Sequence, residues 1–216
     1  MKEIDKNSKV YKFAKGKGVM NLPNILTISR VAMIPVFILF FYVQFPAHYF
    51  VALAIFGIAS LTDLLDGKIA RKYDLVTNLG KFLDPIADKV LVLSAFVVFL
   101  TVPEHFFVNL SNWAIIVAGC GVALILAREI IVSGFRMVAA SSNIVIAADI
   151  FGKYKTVAQY ICVVLLLIGA GVCEFSESIV VEIINYVGLS VFIISVILTV
   201  VSGVNYIVKN IQVLKQ

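Results

Sequence analysis

The sequence predicts an all-α integral membrane protein built from six transmembrane helices. Three observations carry that expectation. Of its 216 residues, 61% are hydrophobic and only 14% charged, whereas a soluble domain is about a quarter charged. The apolar residues gather in continuous runs, and mean hydropathy is +1.02. Lysine and arginine, finally, fall on alternate connections between those runs.

The runs lie at 25–45, 49–70, 79–101, 113–139, 154–173 and 183–208, each close to the ~20 residues that cross a bilayer as a helix. The first ends at Phe45-Pro46-Ala47-His48, which is no signal-peptidase pattern. All six are continuously apolar, not alternating, which favours helices over a barrel. No repeat or linker interrupts them, so residues 20–216 are expected to form one membrane domain. Residues 1–19 differ in character. They read as a basic cytoplasmic extension, native or appended, with no part in the chemistry. Cys120, Cys162 and Cys173 lack metal-ligand spacing and read as small packing residues.

Orientation follows from the basic residues. Lys2, Lys6, Lys9, Lys12, Lys15 and Lys17 precede the first run, and Lys68, Arg71, Lys72 and Lys81 surround the second connection. Lys153 and Lys155 close the fourth, and Lys209 and Lys215 follow the last run. Connections near 45–49, 102–112 and 173–182 hold neither lysine nor arginine, but do hold Glu104, Glu174 and Glu177. The positive-inside rule therefore places both termini and the 68–81 and 140–155 connections in the cytoplasm. The net charge of +5 is thus a topological signal and suits anionic lipid, not nucleic acid.

Carboxylates in membrane spans are costly and point to function. Here they concentrate in Asp63-Leu-Leu-Asp66-Gly67-Lys-Ile-Ala70-Arg71, followed after eight residues by Gly80-Lys-Phe-Leu-Asp84-Pro-Ile-Ala-Asp88. Asp63, Asp66, Gly67 and Ala70 share one helix face, and so do Gly80, Asp84 and Asp88. Two antiparallel helices with a short connection would bring these faces together at the cytoplasmic side. Four converging carboxylates repel one another unless a cation neutralises them, and all-oxygen ligation suits Mg²⁺ or Mn²⁺. Gly67, Ala70 and Gly80 leave room for a bulky ligand, and Arg71 suits a phosphate oxygen or an acidic partner.

This stretch resembles the signature of the CDP-alcohol phosphotransferases, Asp-x2-Asp-Gly-x2-Ala-Arg-x8-Gly-x3-Asp-x3-Asp, and matches every specified position. Within the family the chain is most similar to the bacterial phosphatidylglycerophosphate synthases. The shared segments are Asn21–Thr27, Asn78–Pro85, Ala127–Glu129, Val132–Arg136, Gly152–Thr156 and Ser202-Gly203. The resemblance implies the family's six-helix fold, a bacterial membrane location and a homodimer. It implies transfer of the phosphatidyl group of CDP-diacylglycerol to glycerol 3-phosphate, releasing CMP, with two divalent ions. By the same resemblance Asp63, Asp66, Asp84 and Asp88 bind metal, and Asp88 also serves as the catalytic base. Asp66, Gly67, Ala70, Arg71 and Gly80 would border the nucleotide, with Asn24 and Thr27 as further donor contacts.

The acceptor phosphate needs cations. Arg128 and Arg136 stand roughly on one helix face, with Lys153 and Lys155 at the next cytoplasmic turn, and the four form an expected anion pocket. Pairing of Arg128 with Glu129 or an aspartate, and snorkelling of the lysines, are the alternatives. Another acceptor remains open: inositol phosphate, serine or phosphatidylglycerol. A cation transporter is the remote alternative, disfavoured because there is no repeat and the carboxylates lie towards one face.

Overall fold

The computed structural model describes residues 21–73, 75, 77–106, 112–141, 150–176 and 179–210. Some side chains within its helices, those of Arg71, Asp84 and Asp88 among them, lie outside the described part. Among the described residues every regular element is helical: α1 (Leu22–Tyr42), α2 (His48–Tyr73), α3 (Asn78–Thr101), the one-turn α4 (Pro103–Phe106), α5 (Asn112–Ser141), α6 (Ile150–Cys173) and α7 (Ile179–Asn210). The expected extension, residues 1–19, lies outside the described residues.

Five of these helices are long and apolar enough to cross a membrane: Leu22–Tyr42, His48–Ala70, Trp113–Ala139, Ile150–Cys173 and Ile179–Asn210. The third expected span corresponds to helix α3, Asn78–Thr101; within its described side chains the continuous apolar stretch is Lys89–Thr101. Other helices extend a few residues beyond the expected spans, since backbone hydrogen bonding does not stop where hydropathy falls.

Large apolar side chains lie on the outside as well as in the core, and several polar and charged ones are buried. Leu39, Ile58, Trp113, Ile130, Ile183 and Val208 are exposed, while Asn24, Thr27, Arg30, Asp66, Glu129, Lys155, Gln159 and Ser202 are buried. A surface of that kind is matched to lipid, and the polar groups must find their partners inside.

The chain divides into two compact units between Ser94 and Ala95. In the first, α1 starts at Asn21, whose side-chain oxygen accepts a hydrogen bond from the Asn24 amide (3.0 Å), with proline in the first turn. The α1–α2 connection is tight enough to hold Ala47 at a φ of 68°. Phe37 and Phe41 of α1 pack on Phe56 and Tyr49 of α2, with ring centroids 6.1 and 5.3 Å apart respectively. Ala52 and Ala59, both fully buried, keep the two helices close.

In the second unit α6 runs against α7 with glycines at the contact. Gly188 faces Leu166, and Gly169 faces Ile184 and Asn185. Gly121 of α5 receives the ring of Phe192 from α7. Towards its C-terminal end α5 meets α7 again, where Val132, Phe135 and Ala139 cluster with Tyr206. The buried hydroxyls of Ser195, Thr199 and Ser202 donate back to carbonyls of their own helix at 2.8, 2.6 and 3.1 Å, so α7 carries them without exposing a donor to lipid.

Candidate active site

Asp63 and Asp66 stand one turn apart on α2 and are joined by a single cation. Arg30, from the middle of α1, places Nη1 2.6 Å from Asp63 Oδ1 and pairs Nη2 with Asp66 Oδ2. Arg30 is wholly buried and Asp66 nearly so, whereas the Asp63 side chain is 32% exposed. A buried carboxylate is costly without an opposite charge, and the guanidinium supplies one. One turn before Arg30, Thr27 Oγ1 lies 3.3 Å from the same Asp66 oxygen and 3.1 Å from the Pro23 carbonyl, with one proton to share between them.

The first turn of α1 is tied to both ends of the α2–α3 connection. Asn21 Nδ2 donates to the Leu75 carbonyl at 2.7 Å. Thr77 Oγ1 donates to Asn24 Oδ1 at 2.9 Å and accepts from the Gly80 amide at 3.0 Å, capping α3. The first unit thus holds two sets of contacts, one joining Asn24 to Gly80 through Thr77 and one joining Thr27, Asp66 and Asp63 through Arg30. Gly67 is half-buried on α2, and Ala70 accepts from the Leu75 amide (3.0 Å) where that helix ends. Positions 84 and 88 belong to α3; the side chains of Arg71, Asp84 and Asp88 fall outside the described ones.

The donor chemistry of this face fits a hard divalent cation. Its described acids are carboxylates alone, without sulfur or imidazole, and a guanidinium already occupies the role of a cation between them. Among the described residues no group of three ligating side chains forms, and the side chains at positions 84 and 88 lie outside them.

In the second unit, Arg128 and Lys155 converge on one acid, Glu129, so Arg128 makes the pairing that stood as the alternative to phosphate binding. Glu129 Oε1 lies 3.1 Å from Arg128 Nη1 and also pairs with Lys155 Nζ. Arg128 Nη2 donates to Ser202 Oγ at 3.0 Å, and its stem lies over Gly203, where a Cβ would stand 2.8 Å from Arg128 Cγ. Gly152 of α6 borders the same guanidinium. Arg136 also reaches α7, donating Nε to the Tyr206 hydroxyl at 3.2 Å, with its guanidinium 5.4 Å from the ring centre. Lys153 is exposed. Two of the four expected acceptor cations therefore share a carboxylate, a third holds a tyrosine, and the fourth points outward.

Two residues of these clusters were not among the expected site residues. Arg30 and Glu129 are each a charge inside an apolar run, which is itself a signal of function. The Arg30 charge by itself discloses no partner on α2, and the adjacency of Arg128 and Glu129 discloses nothing of Lys155.

The family model for CDP-alcohol phosphatidyltransferase matches residues 20–204. A protein of Bacillus subtilis strain 168 is 36% identical over 210 residues, covering 91% of this chain and 98% of its own length. Relatives from Rickettsia bellii and Escherichia coli K12 are each 38% identical, over 86% and 87% of this chain and 93% of their own lengths. All three bear the name CDP-diacylglycerol–glycerol-3-phosphate 3-phosphatidyltransferase.

Proposed function

Because this chain belongs to the CDP-alcohol phosphatidyltransferase family, we infer that it transfers the phosphatidyl group of CDP-diacylglycerol to glycerol 3-phosphate. The products are phosphatidylglycerophosphate and CMP, and the protein is a membrane enzyme of phospholipid synthesis. The observation that carries this reading is similarity along nearly the whole chain to relatives named for that reaction. Metal dependence comes with the family; Mg²⁺ or Mn²⁺, as an ion pair, is our proposal for this chain.

Asp63, Asp66, Asp84 and Asp88 would hold the ions. When bound, such a pair neutralises the pyrophosphate and the charge developing on departing CMP. The chain's own residues do the rest. Gly67, Ala70 and Gly80 leave space for the cytidine nucleotide, Arg71 addresses its phosphate, and Asn24 and Thr27 border it from α1. Asp88 takes the proton from the glycerol 3-phosphate hydroxyl as that oxygen attacks the phosphorus bearing diacylglycerol. The new P–O bond forms, the bond to the CMP oxygen breaks, and CMP departs with the electron pair. An ordinary aspartate is a weak base for an alcohol, so the proton leaves late, after the new bond has begun to form.

Arg128 and Lys155 hold the acceptor phosphate, with Arg136 and Lys153 at the edge of the same pocket. Their support is chemical: a buried lysine and a part-buried arginine beside one carboxylate leave a positive excess suited to a phosphate monoester. The lysine distribution supports cytoplasmic termini and a cytoplasmic active site, residues 1–19 form a basic extension, and the family's habit supports a homodimer.

The test is CMP release by the purified protein with CDP-diacylglycerol and Mg²⁺ or Mn²⁺. Glycerol 3-phosphate should support it, while serine and inositol phosphate should not. Release with inositol phosphate and none with glycerol 3-phosphate would overturn the acceptor assignment.

A further inference from the structure

Arg30 is among the largest fully buried side chains of the described residues, and it is the one charged residue of α1. Its two terminal nitrogens are divided between two carboxylates, Nη1 to Asp63 and Nη2 to Asp66. A counter-ion needed only for folding would be required by Asp66, which is buried. Asp63 is a third exposed and needs none. The second arm of the fork therefore does something that burial does not demand: it fixes the separation and orientation of two acids one turn apart.

A guanidinium is suited to this because it is planar and rigid and presents several donors in a fixed arrangement, whereas an ammonium is a single point charge. Thr27 adds to the effect, since its hydroxyl approaches the same Asp66 oxygen that Arg30 Nη2 addresses. Helix α1 thus holds Asp66 Oδ2 from two positions one turn apart.

We propose that Arg30 is a positioning residue for the metal-binding carboxylates, holding Asp63 and Asp66 in register so that a divalent cation meets a preformed pair. This rests on the reading of Asp63 and Asp66 as metal ligands. Groups that orient metal ligands from behind typically change metal affinity by about 10–100-fold when removed.

The experiment is a Mn²⁺ titration of the purified full chain in detergent, without lipid donor, followed by the electron paramagnetic resonance signal of free Mn²⁺. It is carried out well below the unfolding temperature of each variant. Arg30→Met should weaken Mn²⁺ binding about tenfold or more. Arg30→Lys, which keeps the charge but not the fork, should fall between Arg30→Met and the unaltered protein. Should Arg30→Met fail to fold, the lysine variant alone carries the test, with weakened binding expected. Unchanged or tighter Mn²⁺ binding in a folded Arg30 variant would overturn the proposal and leave Arg30 a structural tie or a competitor of the metal. Asp66→Asn serves as the separate check on the premise and should lose Mn²⁺ binding; full binding in that variant would overturn the metal reading, and the proposal with it.

Discussion

Lys155 and Glu129 form an ion pair inside the helical bundle, each side chain only 6% exposed. Glu129 is also the acid beside Arg128, 3.1 Å away. One carboxylate therefore serves two cations from successive long helices. Sequestering such charges is costly, and what makes the arrangement tolerable is that both cations face the same acid.

Removing one member should accordingly cost more than removing both members of the pair. Glu129→Gln is expected to destabilise the protein by about 3–5 kcal/mol, the usual cost of orphaning a buried charge. Glu129→Gln combined with Lys155→Met should recover much of that loss. Thermal or denaturant unfolding of the purified protein in detergent checks this, and an equal loss in the single and double variants would count against it.

Gly203 provides a probe of the proposed acceptor pocket that leaves every charge in place. A Cβ there would meet Arg128 Cγ at 2.8 Å, partway along the side chain, so Gly203→Ala must displace the guanidinium. The KM for glycerol 3-phosphate should rise about tenfold, equivalent to roughly 1.4 kcal/mol of binding, with the KM for CDP-diacylglycerol unchanged. Gly134 of α5 is the control: nothing lies within 4 Å of a Cβ at that position, and Gly134→Ala should leave both constants as they are.

Close approach of α6 and α7 depends on Gly188. An added Cβ would stand 2.8 Å from Leu166 Cδ2 and 3.2 Å from Leu166 Cγ. Gly188→Val should cost about 1–3 kcal/mol through overpacking, read as a lower unfolding temperature. Trimming the opposing side chain with Leu166→Ala should relieve part of the loss; if it adds a full further penalty instead, the contact is not the cause.

Asp88→Asn separates proton removal from donor recruitment. As the proposed base it should lower kcat at least about 100-fold, while much of the CDP-diacylglycerol binding persists. Normal turnover in this variant would remove Asp88 from the role of base.

The helical class was legible because lipid imposes a length and a continuity on apolar segments that composition alone reveals. That Asp63 and Asp66 lie together on one helix was legible for a related reason, since helical spacing converts a linear pattern into a shared face. Helix α3 was legible in the same way: the expected span 79–101 is the helix Asn78–Thr101.

Arg30 and Glu129 mark the limit of a linear reading. Arg30 lies 36 positions before Asp66, and no periodicity within α1 names a partner on α2. Arg128 and Glu129 are adjacent in sequence, yet Lys155 and Ser202 reach them from α6 and α7. The sequence by itself determined the helical membrane class, the acidic signature and the family, because each is written in local spacing and composition. Only the tertiary structure decided which buried charges neutralise one another. Ion pairs between helices depend on which faces pack together, and in a lipid environment every buried charge must find its partner inside the protein.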